Sequence, residues 1–303
     1  MKYFILAFCA ILRGGDAADP TEWDNNHSFI SSPLSHPLDF SHLPSQKQTS
    51  TPDVTYVNLA AYELEDKGCV PLLTRLIPHH HTLEHLDLSL NRLGKEAAPH
   101  LTTLTDRALK LRYLDLRLNQ FSGNSLVPVL KNLERHNKIK YLDLSFNSID
   151  STGIDALCDL TRIATSLQHL SLDFIGVSKN KRLDLLKSLG KSPSLSHVSL
   201  AYNLLAGSGR EIGQMIKSGE TLTTLGLARC DLTLDDFKHI IQAVNTPLPK
   251  SRKSILSTIV QPKTRRITLK LEKTWETELI AAHYAQHKLE TPQITLLFHL
   301  GPS

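Results

Sequence analysis

Two histidines in nearly identical surroundings are the first residues whose types suggest chemistry. His169 stands in LQHLSL and His197 in LSHVSL. Acidic and hydroxyl residues lie at related positions, namely Asp143, Ser171, Asp173 and Ser199. Such sets could bind zinc or act in a hydrolase, but zinc needs about four converging ligands and hydrolysis needs an oxyanion hole and a shaped pocket. We therefore predict no catalytic residue, no metal site and no cofactor.

A second histidine cluster, PHHH at Pro78 to His81, raises the same question of metal binding. It directly precedes an apolar segment that begins at Leu83, and proline is common where the chain turns. We therefore interpret it as the turn that leads into the next strand, with metal capture as the alternative.

The elements around these residues form an internal repeat. Seven segments align with a spacing of 27 to 29 residues, and each has apolar residues at positions 1, 4, 6 and 11. They begin at Val54, Leu83, Leu111, Ile139, Leu167, Leu195 and Leu222. Position 9 is most often asparagine, in Asn91, Asn119, Asn147 and Asn203, with Cys230 in the last segment. A fixed period of this length indicates a repeat architecture.

These segments resemble leucine-rich repeats, in which Leu-x-x-Leu-x-Leu-x-x-(Asn/Cys)-x-Leu recurs. Units near 28 residues with a full helix are similar to the ribonuclease-inhibitor-like subclass. The resemblance implies an α/β horseshoe-shaped solenoid over residues 51–245, with parallel strands on the concave face and helices on the convex face. It implies a fold rather than a function, because unrelated binding tasks share such folds.

Local patterns agree with a strand followed by a helix in each unit. Positions 4 and 6 alternate inward along a strand, and Ser151 to Ser166 and Gly123 to His136 have helical spacing of apolar residues. The first of these helices is expected to begin at a Ser/Thr cap and to bury Ile163. Tyr62 and Ile175 replace asparagine at position 9, so we expect a local defect or an altered bend at Ile175.

The outward positions of each strand form columns across the predicted concave face. Column 3 is Tyr56, His85, Tyr113, Tyr141, His169, His197 and Thr224. Column 5 carries the acidic residues Asp87, Asp115 and Asp143. Column 8 is Ala61, Leu90, Leu118, Phe146, Phe174, Tyr202 and Arg229. Parallel strands about 4.8 Å apart would turn these columns into an aromatic and histidine stripe, an acidic stripe and an apolar stripe.

Such stripes favour a protein partner, because aromatic and apolar residues dominate interface energetics. The acidic stripe favours a basic partner segment, and protonation of His85, His169 and His197 could instead relieve its repulsion. The opposing interpretation assigns the aspartates to the scaffold and lets the next loop cover column 8. We expect the protein to be a monomer.

The N-terminus predicts export, whereas the cysteines favour a reducing compartment. Residues 1–18 contain an apolar run followed by small residues, which is typical of a signal peptide. Residues 19–50 are predicted to be a linker or an irregular cap. Beyond Cys9 the three cysteines are far apart and fit no disulfide framework. A bacterial protein that is secreted or translocated into a host cytosol would satisfy both signals, and a cytoplasmic protein is the alternative.

The last 58 residues, 246–303, combine a basic insertion with a predicted eighth unit. Segments 266–272 and 293–300 are predicted strands, residues 274–289 a predicted helix, and a separate small domain is the competing interpretation. Basic residues cluster at Lys250, Arg252, Lys253, Lys263, Arg265, Arg266, Lys270 and Lys273. They could bind an anionic partner such as lipid or nucleic acid, or simply form a solvated loop. The net charge of +4 does not by itself indicate nucleic acid.

The functional prediction is a non-catalytic protein-binding scaffold. It resembles the leucine-rich-repeat effectors that some intracellular bacteria deliver into host cells, which usually engage host proteins. The alternatives are a regulator of an enzyme, such as a GTPase-activating protein or a ubiquitin-ligase substrate adaptor, and an enzyme in its own right.

Overall fold

The protein forms one parallel sheet flanked by helices. The computed structural model describes residues 29–30, 54–245, 267–272 and 294–299. The strands are β1 (Phe29–Ile30), β2 (Tyr56–Asn58), β3 (His85–Asp87), β4 (Tyr113–Asp115), β5 (Tyr141–Asp143), β6 (His169–Ser171), β7 (His197–Ser199), β8 (Thr224–Gly226), β9 (Ile267–Glu272) and β10 (Ile294–His299). The helices are α1 (Glu65–Leu76), α2 (Ala97–Arg107), α3 (Gly123–His136), α4 (Ser151–Ile163), α5 (Lys179–Gly190), α6 (Gly209–Ser218) and α7 (Leu234–Asn245), with a 3-10 turn at Ile77–His79.

The strands lie in chain order in the sheet, each beside the strands of the neighbouring units. Equivalent positions pair across the sheet, as where Tyr113 aligns with Tyr141 and Asp115 with Asp143. Side chains at positions 4 and 6 point into a continuous core between the sheet and the helices, and Leu114 and Leu142 are fully buried there. Each fully buried leucine contributes roughly 1.5–3 kcal/mol. The repeat thus folds as the solenoid that its period predicts, with the strands on the concave face.

Asparagine at position 9 joins each unit to the one before it. The Asn119 amide nitrogen donates to the carbonyls of Leu88 and Leu116 at 3.0 and 2.9 Å, and less closely to that of Arg117 at 3.3 Å. Its Oδ1 accepts the backbone N–H groups of Asn91 and Leu93 at 3.2 and 2.9 Å. Since the chain turns inward here, these buried backbone groups have no access to water and need such a partner.

Ile175 interrupts this arrangement in the middle of the array. Its side chain is buried but can neither donate nor accept a hydrogen bond. In the next unit, the Oδ1 of Asn203 is buried without a hydrogen-bond partner in the structure, although its amide nitrogen still donates to Leu172 and Leu200. The adjacent Gly176 adopts a left-handed backbone with φ of 71°. The predicted local defect is confirmed.

Helices α3 and α4 lie where the sequence predicts them, with two corrections at α4. Its N-terminus is capped by Asp150, whose Oδ1 accepts from the backbone N–H groups of Thr152 and Gly153. A carboxylate accepts at least as well as the Ser/Thr hydroxyl that the pattern suggested. Ile163 is 47% exposed rather than buried, because α4 ends at this residue and the chain turns back toward β6.

Several expectations concern the ends of the chain. A two-residue strand, β1, lies within the segment predicted to be a linker or cap, and it pairs in parallel with β2. At the other end β9 continues the sheet beside β8, and β10 pairs with β9 with Ile294 opposite Ile267. The leader, the helix at 274–289 and the basic residues Lys250, Arg252, Lys253, Lys263, Arg265, Arg266 and Lys273 lie outside the described residues. The domain boundaries remain predictions.

Replacing Asn119 with alanine should destabilise the protein. The substitution removes hydrogen-bond partners from buried backbone groups of two units, so we expect the free energy of unfolding to fall by about 2–4 kcal/mol. Denaturant unfolding measures this change. The neighbouring Gln120 is exposed, so Gln120→Ala is the matched control and should change stability by less than about 0.5 kcal/mol. Equal stability of the two variants would refute the structural role assigned to Asn119.

Candidate functional site

Column 3 forms a ladder of stacked rings along the concave face. Ring centroids are 4.1 Å apart for Tyr56 and His85, 3.8 Å for His85 and Tyr113, and 4.3 Å for Tyr113 and Tyr141. The step to His169 is longer and tilted, at 6.1 Å. His169 and His197 then stack at 4.2 Å. The predicted ring stripe is therefore present. It consists of two stacks that meet at the tilted step between Tyr141 and His169.

Stacking changes what these rings can offer a ligand. Their faces are covered by one another, so within each stack only the outward ring edges and hydroxyls remain for contact, and His85 is itself buried. Such edges suit hydrogen bonding, whereas the face needed to stack a flat ligand is occupied. Exposure increases along the ladder, from a buried His85 to an exposed His197. Much of the aromatic surface of column 3 is therefore buried in contacts between neighbouring strands of the sheet.

The expected acidic stripe is not displayed, and this prediction is wrong. Asp87, Asp115 and Asp143 are 8%, 0% and 4% exposed. The Oδ1 of each accepts the backbone N–H two residues later, at Ser89, Arg117 and Ser145 respectively, at 2.8–2.9 Å. These bonds stabilise the turn that leaves each strand, as Asx turns do. The aspartates thus serve the scaffold, which was the opposing interpretation of the sequence.

Arg117 compensates the buried carboxylates, and the sequence prediction did not identify it. Its Nε lies 3.2 Å from the Oδ2 of Asp115. Burial raises the pKa of Asp87, Asp115 and Asp143. Burial lowers the pKa of Arg117, but Asp115 and Asp143 outweigh it and raise that pKa overall. The only signal in the sequence was an arginine in column 7, where both neighbouring units have serine.

The histidines do not supply the positive charge that would relieve the carboxylates. Burial lowers the pKa of His85 to about 4. Burial also lowers the pKa of His169 with a contribution from His197, and that of His197 with a contribution from Lys270. These shifts favour the neutral ring in all three, so they oppose the alternative in which protonated histidines relieve the acidic residues.

Asp173 is a fourth carboxylate on this face, in column 7 of the fifth unit. It is only partly exposed, and its Oδ1 accepts from the hydroxyl of Ser199 at 2.5 Å and the backbone N–H of Ala201 at 2.8 Å. Burial raises its pKa to about 7, and Asp143 adds to the shift while the Ser199 hydroxyl opposes it. Asp173 therefore titrates near neutral pH.

Column 8 has a backbone feature that the sequence pattern did not reveal. In all seven units its residue has a positive φ, between 49° and 61°. The N–H of each of the first six donates to a carbonyl at position 7 of the next unit, as Phe146 does to Asp173 at 2.7 Å. This left-handed conformation costs roughly 1–2 kcal/mol for residues other than glycine. It turns the side chain outward, and every residue of the column is at least partly exposed.

The largest side chains of column 8 form an aromatic cluster of Phe146, Phe174 and Tyr202. The ring centroids of Phe146 lie 5.5 Å from Phe174 and 6.1 Å from Tyr202. Phe174 is 54% exposed. The Arg229 guanidinium carbon lies 5.7 Å from the Tyr202 ring centroid, within cation–π distance. Leu90 and Leu118 extend the apolar column toward the N-terminal units, so the expected apolar stripe is present and accessible.

The residues considered for metal binding or hydrolysis are used otherwise. Among the residues that the structure describes, no three His, Cys, Asp or Glu side chains are placed to hold a metal ion. The His197 Nδ1 lies 2.8 Å from the hydroxyl of its chain neighbour Ser196, while Ser199 donates to Asp173. Asp143 is engaged with its own turn. The structure therefore does not assemble a Ser-His-Asp arrangement from these residues.

Comparison with known proteins bears on the nature of the repeat. The family model described as leucine-rich repeat matches residues 79–98 and 135–158. These two segments match leucine-rich repeats, and the described strands and helices have the arrangement of a leucine-rich repeat solenoid. No curated protein sequence matches the chain.

Two solved structures are among those similar to this chain. One is leiomodin-1 actin-binding site 2, at 16% identity and a TM-score of 0.38, with 46% of this chain and 81% of that chain covered. The other is TLR13 in complex with ssRNA13, at 14% identity and a TM-score of 0.38, with 81% of this chain and 36% of that chain covered.

Among the described helices of the repeat array, none is long and apolar enough to cross a bilayer.

Asp173→Asn should change how stability depends on pH. The folded protein holds this proton up to about pH 7, whereas an unfolded chain loses it near pH 3.8. The stability from the neutral carboxyl is therefore complete below about pH 4 and lost as pH rises to 7. Asparagine keeps an oxygen acceptor but does not titrate. At alkaline pH we expect the variant to exceed wild type by between about 1 and 4 kcal/mol, discounted for partial exposure.

The measurement is the free energy of unfolding of both proteins from pH 4 to 8. The difference between variant and wild type isolates Asp173 from the other aspartates, which titrate in both. Asp184→Asn, at an exposed position of α5, is the control. A variant-minus-wild-type difference that does not grow with pH would contradict the assignment.

Proposed function

We propose that this protein is a non-catalytic scaffold that binds a protein partner through its concave face. Column 8 carries the proposal: large apolar side chains, most exposed at Phe174, occupy a backbone conformation that favours glycine or asparagine. Folding alone gives little reason to keep phenylalanine or leucine there. Strained positions that persist with exposed side chains are characteristic of functional sites, and aromatic clusters are typical binding hot spots.

The finer parts of the proposal rest on the sequence. A helix in each unit of 27–29 residues supports the ribonuclease-inhibitor-like subclass. The apolar leader supports secretion or translocation, and three cysteines that are unpaired in the structure, Cys69, Cys158 and Cys230, support action in a reducing compartment. We infer an exported bacterial effector that acts on host proteins as a monomer.

Glycine at position 174 tests whether Phe174 is kept for folding or for binding. Glycine enters the left-handed region at no steric cost, while alanine retains the clash of a Cβ. Since the phenyl ring is more than half exposed, we expect Phe174→Gly to exceed Phe174→Ala in unfolding free energy by about 1 kcal/mol. Denaturant unfolding of the two variants measures the difference. An alanine variant as stable as the glycine variant would show that the position is unstrained.

Partner binding tests the function itself. Proteins captured by the full chain and identified by mass spectrometry provide the partner, whose Kd is then measured with purified protein. Phe146→Gly/Phe174→Gly should weaken binding by tenfold or more, since hot-spot residues contribute about 2 kcal/mol or more each. Leu183→Ala, at an exposed apolar position of α5 on the helical side, should leave Kd unchanged. A partner that binds the folded double variant as tightly as wild type would overturn the concave-face proposal.

A further inference from the structure

Among the residues that the structure describes, the charges in the outward columns that a partner can reach are mostly positive. The aspartates of column 5 are buried and their Oδ1 atoms accept from backbone N–H groups, so these carboxylates are not available to pair with a partner. The cations in the outward columns are Arg229, Lys270 and Arg117, and Arg117 is engaged with Asp115 at 3.2 Å. Arg112 and Lys140 are exposed at position 2 of their units, where Arg112 pairs with Glu84 at 3.6 Å. A basic segment would lose hydration without reaching the buried aspartates, whereas an acidic one meets exposed cations directly.

Two of these cations, Arg229 and Lys270, lie at the C-terminal end of the array. Lys270 is opposite Gly226 in the sheet, and Arg229 lies against the Tyr202 ring. The field of Lys270 reaches His197, whose pKa it helps to lower. Two acids are also present: Asp231 is exposed on the loop beyond Arg229, and Asp173 is only partly exposed and already bound to Ser199.

Small side chains form the floor between these groups. Columns 5 and 7 of the last units contain Ser171, Ser199, Gly226, Ala201 and Ala228, together with Asp173, whose Oδ1 accepts from Ser199 and Ala201. The N-terminal units carry bulky residues at comparable positions, including Asp115 and Arg117. A partner side chain therefore meets less obstruction over the C-terminal units. His197 on one margin and Tyr202 on the other border this floor.

We propose that the C-terminal concave patch, defined as Phe174, His197, Tyr202, Arg229 and Lys270, binds an acidic partner segment that carries large apolar side chains. The apolar side chains pack on Phe174 and Tyr202 above the small-residue floor, and the carboxylates pair with Arg229 and Lys270. This inference rests on the proposed function and specifies the chemistry of its partner. It reverses the preference for a basic segment that the acidic stripe suggested.

Selection from a displayed library of random short peptides on the immobilised full chain tests the inference. The enriched pool should have net negative charge and contain Trp, Phe or Leu. Binding of enriched peptides should weaken by about tenfold with Arg229→Ala/Lys270→Ala, and should fall with added salt. The control Arg107→Ala/Lys131→Ala removes the same two residue types from exposed positions of α2 and α3, and should leave Kd unchanged.

The other outcomes separate this inference from the proposed function. A neutral or basic enriched pool, or a failure to enrich any peptide, overturns the inference. Peptides that lose binding with Phe174→Gly but bind Arg229→Ala/Lys270→Ala normally also overturn it, while the concave-face scaffold stands. Peptides that bind all variants equally overturn the inference and count against the concave face as well. Circular dichroism and unfolding of each variant establish that it remains folded.

Discussion

Hydrogen bonding of the backbone between neighbouring units is the constraint on which the whole structure depends. A strand of three residues cannot satisfy itself, so every carbonyl and N–H on the concave side needs the next unit. The asparagine at position 9 bridges the point where the strand pairing stops and the chain turns inward, as Asn119 does between Leu88 and Leu93. Stability therefore belongs to contacts between units rather than to any single unit.

The same constraint explains how much the sequence could predict. Period and apolar positions determine the core, the strand register and the helices, because burial repeats with the unit, and α3 begins and ends where the pattern indicates. The defect at Ile175 was also predictable, since an aliphatic side chain cannot replace an amide. The cap of α4 and the exposure of Ile163 could not be predicted from the sequence, because they depend on how the chain approaches and leaves one helix.

The candidate site was less predictable. The column that a residue occupies predicts whether its side chain points away from the core, but not how deeply that side chain is buried. Asp115 and Tyr113 occupy outward positions of the same strand, yet the carboxylate is buried and the ring is half-buried. Ring stacking along column 3 and the side chain of Arg117 cover the carboxylates, and these contacts run between units. The charge that a partner meets on the surface thus differs from the charge that the residue types of the repeat suggest. Periodicity alone also gave no indication that column 8 has a positive φ.

In column 8, where φ is positive, the backbone and the side chain of one residue have different roles. At Phe146 the backbone N–H belongs to the scaffold, through its bond to Asp173, while the side chain projects from it and takes no part in that bond. Another residue that tolerates the conformation can therefore replace it and keep this hydrogen bond between units, although the ring contacts with Phe174 and Tyr202 are lost. Such a surface can diverge toward new partners by single substitutions, while the backbone hydrogen bonds that join the units are kept.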